Sequence, residues 1–148
     1  MNKPNVLFLC TGNSARSQMA EGLLRALAGE QFEVFSAGTD PKGRILPEVQ
    51  EAMREIGVDI SSQYSKSVSE YLGRKVFAHV ITVCADAEEN CPAVFLGMGK
   101  HEHWPFDDPA KAEDAHRLDL TRRVRDEMAI SLRSWLIEQG VTPRKFRV

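Results

Sequence analysis

Cysteine is scarce in this sequence: Cys10, Cys84 and Cys91 are the only three among 148 residues. An odd number of thiols argues against a framework of structural disulfides and indicates reduced cysteines in a reducing compartment. Small domains that depend on disulfide bridges are therefore excluded. The positions of the three thiols become the informative feature.

Long apolar runs and an excess of charge of one sign are also missing. No stretch approaches the ~20 residues that a membrane-spanning helix needs, and no signal peptide is evident because a strand-like run begins at Val6. The net charge of -2 gives no electrostatic reason to expect binding to nucleic acid or to a membrane. We expect a cytoplasmic enzyme that forms one domain over residues 1–148.

Short apolar runs alternate with stripes of helical spacing along the chain. Strands are predicted at 6–9, 32–37, 78–83 and 101–104, and helices at 16–28, 47–56 and along the stripe 120–135. Residues 61–75 are polar and permit only a loop or a short helix near 68–72. This alternation predicts an α/β fold with a four-stranded parallel sheet flanked by helices.

Two of the thiols directly follow predicted strands. Cys10 comes after the first strand and Cys84 after the third. Ligands bind such sheets beyond the carboxyl ends of the strands, so both thiols are expected at that rim.

The residues from Cys10 to Ser17 form a pattern suited to binding an oxyanion. A five-residue loop at a strand-to-helix junction can direct its N–H groups at a tetrahedral anion, and Arg16 can grip two of the anion's oxygens. Gly12 and Asn13 tolerate unusual backbone angles. The positive field should lower the pKa of Cys10 below about 8.5, and Ser17 can hydrogen-bond the sulfur. Glu21 and Ser36 either brace the loop or face solvent.

An acidic loop supplies a candidate proton donor. Asp107 and Asp108 precede Pro109 in a segment that begins at Trp104. Asp before Pro often only marks a turn. With an oxyanion loop nearby, Asp108 becomes a candidate general acid, and Asp107 its poorly placed neighbour.

Cys84 and Cys91 flank a polar, acidic segment. They are unrelated core thiols, metal ligands assisted by His101 and His103, or a redox pair. A structural zinc site normally uses closer cysteine pairs. A redox pair requires rearrangement, because seven residues of helix rise about 10 Å whereas a disulfide needs Cα atoms within about 7 Å.

Together these motifs resemble the thioredoxin-coupled arsenate reductases related to low-molecular-weight tyrosine phosphatases. The resemblance covers nearly the whole chain: the thirteen residues CTGNSARSQMAEG from Cys10, Ser-Ala-Gly from Ser36, the Cys84 and Cys91 pair, and Phe-Asp-Asp-Pro-Ala from Phe106.

The resemblance implies a role for each candidate residue. Cys10 would be the nucleophile, Asp108 the general acid, and Cys84 and Cys91 the resolving thiols of a disulfide relay. The substrate would be arsenate, with phosphate or sulfate as mimics, and thioredoxin would supply electrons without a tightly bound cofactor or metal. Ser17 would tune the Cys10 thiolate, and the oxyanion would bind the loop residues Thr11, Gly12, Asn13, Ser14, Ala15 and Arg16.

Two positions depart from some relatives. Ala15 stands where some carry a further cysteine, which a three-thiol relay does not need. Lys66 stands where some carry an acidic residue that binds potassium, so the lysine charge could replace that cation and no potassium requirement is expected.

Two alternatives remain at this point. A phosphatase would use the same loop and acid, but phosphatases of this scaffold usually carry Pro at the position of Gln18 and aromatic residues at Ala110 and Lys111, and hydrolysis does not use Cys84 or Cys91. A non-catalytic, anion-responsive module would not need the full set of nucleophile, arginine and acid.

Overall fold

A computed structural model describes residues 3–84 and 99–146. The strands are β1 (Asn5–Cys10), β2 (Glu33–Gly38), β3 (His79–Thr82) and β4 (Lys100–His103). The α-helices of this part are α1 (Arg16–Ala28), α2 (Pro47–Glu55) and α3 (Asp114–Glu138), with short 3₁₀ turns at Val68–Glu70 and Pro109–Lys111. Cys91 lies outside the described residues.

The four strands form one parallel sheet in the order β2-β1-β3-β4. The predicted α/β fold and its four-stranded parallel sheet are confirmed. β1 is bonded on both sides, and its residues Val6–Leu9 are fully buried. The loop that follows β1 therefore starts from the most enclosed strand of the sheet.

Local sequence explains where the helices begin and end. The stripe of Met19, Leu23, Leu24 and Leu27 on α1 is buried, and α1 packs against β1, β2 and α3. α2 begins with Pro47 and is followed by Gly57, whose φ is 77°. α3 begins at Asp114, before the predicted apolar stripe. The stripe did not reveal this start because the first turn of the helix is polar and largely exposed.

Aromatic side chains cover the sheet beside β2. Phe35, Tyr71 and Phe77 meet edge to face, with ring centroids 5.4–5.7 Å apart. Tyr71 follows the 3₁₀ turn at Val68–Glu70, so this turn is where the polar segment 61–75 joins the core. No helix within the described residues is long and apolar enough to cross a membrane.

Candidate active site

The segment between β1 and α1 forms an open loop at the carboxyl end of the sheet. Its carbonyls point away from the centre: those of Cys10, Thr11, Gly12 and Ser14 accept hydrogen bonds from the backbone of residues 39–46, at 2.9–3.1 Å. Because these carbonyls are bound outside, the loop turns its N–H groups inward beside the positive end of α1, where those of Thr11 and Asn13 donate to the sulfurs of Cys84 and Cys10.

Asn13 holds the loop in shape. It is fully buried, with φ of 48°, which is the left-handed conformation expected from the sequence. Gly12, by contrast, does not have a positive φ. The Asn13 amide nitrogen donates to Ser17 Oγ and Ser36 Oγ, and its oxygen accepts from Gln18 Nε2 and from the backbone N–H of Lys66, over distances of 2.7–3.0 Å.

A second set of contacts braces Asn13 from behind. Ser36 Oγ donates to Glu21 Oε1 at 2.5 Å, and Arg25 pairs with Glu21 Oε2 at 2.5 Å. Of the two readings left open for Glu21 and Ser36, the structure supports the brace. Lys66 is buried, with Nζ 3.8 Å from Glu21 Oε1, and burial lowers the pKa of its ammonium while Glu21 opposes that shift.

The Cys10 sulfur lies at the base of the loop and is 2% exposed. Ser17 Oγ lies 2.8 Å from it, and the backbone N–H of Asn13 donates to it at 3.2 Å. The hydrogen bond with the Cys84 thiol raises the pKa of Cys10, and burial and the charge of Cys84 act in the same direction, while Ser17 lowers it.

The expectation of a lowered pKa for Cys10 is therefore wrong for this arrangement. Arg16 and the helix terminus favour the thiolate, but the sequence did not indicate that the Cys84 thiol would lie in hydrogen-bonding contact with Cys10. When two thiols share one buried site, each resists ionisation of the other.

Removing the second thiol is expected to reverse this effect. In Cys84→Ala the pKa of Cys10 should fall, because the hydrogen bond with the Cys84 thiol that raises it is gone, while the contacts with Ser17 and Asn13 remain. The thiolate is the form that alkylates, so the rise of the Cys10 alkylation rate with pH should move to lower pH. Iodoacetamide labelling over pH 6–10, resolved by peptide mass spectrometry, measures this. If the pH dependence of Cys10 alkylation stayed the same or moved to higher pH, Cys84 would not be the cause of the raised Cys10 pKa.

Cys84 lies against the loop from the neighbouring strand. The backbone N–H of Thr11 donates to Cys84 Sγ at 3.2 Å, and Thr11 Oγ1 lies 3.7 Å from the same sulfur. The expectation that the two strand-end thiols share a rim is confirmed. The position of Cys91 stays a prediction.

Arg16 and Asp108 face each other across the loop. Arg16 Nη2 lies 3.3 Å from Asp108 Oδ2, and Nη1 donates to the Phe106 carbonyl at 3.1 Å. Asp108 also accepts from the Ala110 N–H at 3.0 Å, which orients the carboxylate at the start of the 3₁₀ turn. Asp107 pairs with Arg123 on α3 and does not line the pocket.

These groups surround a cavity of about 170 Å³. Its lining comprises Cys10, Thr11, Gly12, Asn13, Ser14, Ala15, Arg16, Lys42, Asp108, Ala110 and Lys111. Lys42 was not predicted from the sequence, and Lys111 stood out there only as a departure from an aromatic residue. A larger cavity of about 520 Å³ lies beside residues 57–61 and contains no thiol, so size alone does not locate the site.

Metal ligation finds no support in the part of the chain that the structure describes. That part contains no group of three or more His, Cys, Asp or Glu residues that could hold an ion. His103, one of the candidate ligands, lies with Nδ1 2.7 Å from Thr82 Oγ1.

Comparison with known proteins gives consistent matches. The family described as low molecular weight phosphotyrosine protein phosphatase matches residues 5–144. An arsenate reductase of Halalkalibacterium halodurans is 44% identical over 137 residues, and the match covers 91% of this chain and 96% of the relative.

Solved structures give the same picture. An arsenate reductase in a phosphate-binding state superposes with a TM-score of 0.76 at 28% identity, covering 91% of this chain and 98% of that one. A thioredoxin-dependent arsenate reductase of Corynebacterium glutamicum gives a TM-score of 0.67 at 33% identity, covering 93% of this chain and 64% of that one. The family match includes Cys10, Arg16, Cys84, Cys91 and Asp108.

Proposed function

The chain belongs to the low-molecular-weight phosphotyrosine protein phosphatase family, and we propose that it is an arsenate reductase in which Cys10, Cys84 and Cys91 carry two electrons from thioredoxin to arsenate. The observation that carries the proposal is the Cys84 sulfur, which lies beside Cys10 and accepts the Thr11 N–H. Hydrolysis of a phosphate ester uses one thiol, whereas reduction of an oxyanion needs a second thiol within reach of the first.

Binding and the first bond use the loop, Arg16 and Asp108. Arsenate binds with its oxygens on the loop N–H groups and on the Arg16 guanidinium, which turns from Asp108 to the anion. The Cys10 thiol passes its proton to the dianion as it attacks arsenic. Asp108 takes up a proton from solvent once Arg16 has turned away and passes it to the departing oxygen, so water leaves and a sulfur–arsenic bond forms.

Reduction follows when the second thiol attacks. Cys84 Sγ attacks Cys10 Sγ, the sulfur–arsenic bond breaks, and its electron pair remains on arsenic, which leaves as arsenite. Thr11 holds the attacking sulfur in place. Cys91 then attacks Cys84 Sγ and displaces the Cys10 thiolate, leaving a Cys84–Cys91 disulfide for thioredoxin to reduce.

A phosphatase is the second candidate, and the loop, Arg16 and Asp108 favour it as much as they favour arsenate reduction. Gln18, which stands where such phosphatases usually carry proline, donates its amide to Asn13 and to the Tyr64 carbonyl. The same pocket would cleave aryl phosphates as a slow side reaction.

A coupled assay separates the two functions. The reduced full chain, with arsenate, thioredoxin, thioredoxin reductase and NADPH, is expected to sustain NADPH oxidation that depends on arsenate. Cys10→Ser serves as the inactive control. Absence of turnover together with rapid cleavage of an aryl phosphate would refute arsenate reduction and leave a phosphatase.

Lys66 is expected to make the site independent of potassium. Its ammonium lies 3.8 Å from the buried Glu21 carboxylate, which Arg25 also pairs with, and it donates to the Tyr64 carbonyl at 2.8 Å. Lys66→Met should lower the melting temperature by several degrees, because it leaves part of a buried ion pair uncompensated. Potassium should restore some of that loss, while the wild type should melt alike in potassium chloride and choline chloride of equal ionic strength. If Lys66→Met melted at the same temperature in both salts, the Lys66 ammonium would not be standing in for a potassium ion.

A further inference from the structure

Two lysines stand at the mouth of the anion cavity, outside the groups that the reaction uses. Lys42 belongs to the loop after β2, and Lys111 ends the 3₁₀ turn that follows Asp108. Both line the cavity and both are exposed. We refer to Lys42 and Lys111 as the lysine rim.

The loop itself positions Lys42. The Lys42 backbone N–H donates to the Gly12 carbonyl at 2.9 Å. A Cβ added to Gly12 would lie 3.0 Å from Lys42 Cγ and 3.6 Å from Cε, so the lysine stem passes directly over the glycine. Gly12 does not have a positive φ, so a side chain at position 12 would chiefly displace the Lys42 stem.

Lys111 is attached to the acid. Its backbone N–H donates to the Asp108 carbonyl at 3.1 Å. The two rim lysines therefore reach the cavity from different segments: Lys42 is bonded to the anion loop, and Lys111 is bonded to the acidic loop.

The charge of Arg16 is already engaged before an anion arrives. Its guanidinium contacts the Asp108 carboxylate and the Phe106 carbonyl. In the described part of the lining, Arg16 and Asp108 balance each other, and Lys42 and Lys111 contribute the remaining positive charge. Among the residues that the structure describes, no aromatic side chain belongs to this lining.

We propose that the lysine rim captures a small, doubly charged inorganic oxyanion before Arg16 exchanges Asp108 for it, and so sets the substrate class of the pocket. The identity of the anion as arsenate rests on the proposed function, whereas the capture step applies to any tetrahedral dianion of this size. The rim attracts the anion over a distance of the order of the Debye length, and the loop N–H groups then compete for it at short range. An aryl ester is attracted in the same way, but the described lining residues offer its ring no aromatic side chain to stack against.

Binding of inorganic phosphate tests the capture step without thiol chemistry. Isothermal titration of the reduced full chain at low and high ionic strength would compare wild type with Lys42→Met, Lys111→Met and the double variant. Each single change should raise the phosphate Kd roughly five- to tenfold at low ionic strength, and the double variant should lose most of the salt dependence. Lys42→Arg, which keeps the charge, and Lys100→Met on β4, away from the cavity, should bind like wild type.

Turnover provides the second readout. In the coupled assay the rim variants should raise KM for arsenate while kcat stays within about twofold, because capture precedes chemistry. If the double variant kept the wild-type phosphate Kd and salt dependence, the proposal that the lysine rim captures the anion would be wrong. A rim effect on phosphate binding in a protein without arsenate turnover would keep the capture step and reject the proposed function, so the two failures are distinguishable.

Discussion

Cys84→Ser should lose sustained arsenate turnover by at least about a thousandfold while keeping the anion pocket intact. Serine oxygen can still accept the Thr11 N–H that Cys84 accepts in the wild type, so the loop should not move. A serine alkoxide is not available near neutral pH, so position 84 no longer carries a nucleophile that can attack the Cys10 sulfur and release arsenite. The coupled NADPH assay measures the loss.

Two matched measurements give this result its meaning. Cys84→Ser should still bind inorganic phosphate and should keep or gain aryl phosphatase activity, because those functions use Cys10, Arg16 and Asp108 and loss of the Cys84 thiol favours the Cys10 thiolate. Cys91→Ser should differ in kind: it should release one equivalent of arsenite and stop with a Cys10–Cys84 disulfide, visible as a mass lower by two hydrogens. Sustained turnover by Cys91→Ser would remove Cys91 from the relay.

Asn13→Ala should be the most destabilising single change in the loop, by about 3–5 kcal/mol in the free energy of unfolding. Truncation leaves the buried Ser17, Ser36 and Gln18 groups without their amide partner, together with the Lys66 N–H. The substitution also places a Cβ-bearing residue with no polar compensation at a φ of 48°. Urea unfolding measures the loss.

Asn13→Gly separates the two causes. Glycine adopts the positive φ without strain, so it should cost about 1 kcal/mol less than alanine while losing the same hydrogen bonds. Both variants should also weaken phosphate binding, because the Asn13 N–H and the loop geometry are coupled. Losses below about 1 kcal/mol in both would show that Asn13 does not hold the loop.

Local patterns were sufficient to predict the scaffold. The apolar runs, the stripe on α1 and the Pro47 and Gly57 signals placed the elements, because each depends on residues close in sequence. The position of Asp108 was also predicted from its motif, and its pairing with Arg16 follows from the two loops meeting at one end of the sheet.

Properties that depend on distant neighbours were not predictable in this way. The pKa of Cys10 rises because of its hydrogen bond with Cys84: the strand ends predicted that the two thiols share a rim, but not that they are in direct contact. The rim position of Lys42 follows from how the loop after β2 crosses Gly12. The Asn13 network likewise joins Gln18, Ser36 and Lys66, whose meeting requires the folded sheet.

The parallel pairing of β1 with β3 sets the distance between the two thiols that follow these strands. Leu9 pairs with Thr82, so Cys84 lies just beyond the residue that the register places opposite Cys10. Neighbouring strands lie about 4.8 Å apart, which is within the Cα separation of roughly 4.4–6.8 Å that a disulfide accepts. The distance between the two thiols is therefore set by the backbone pairing of the sheet, so a side-chain substitution at either position changes the chemistry without changing that spacing.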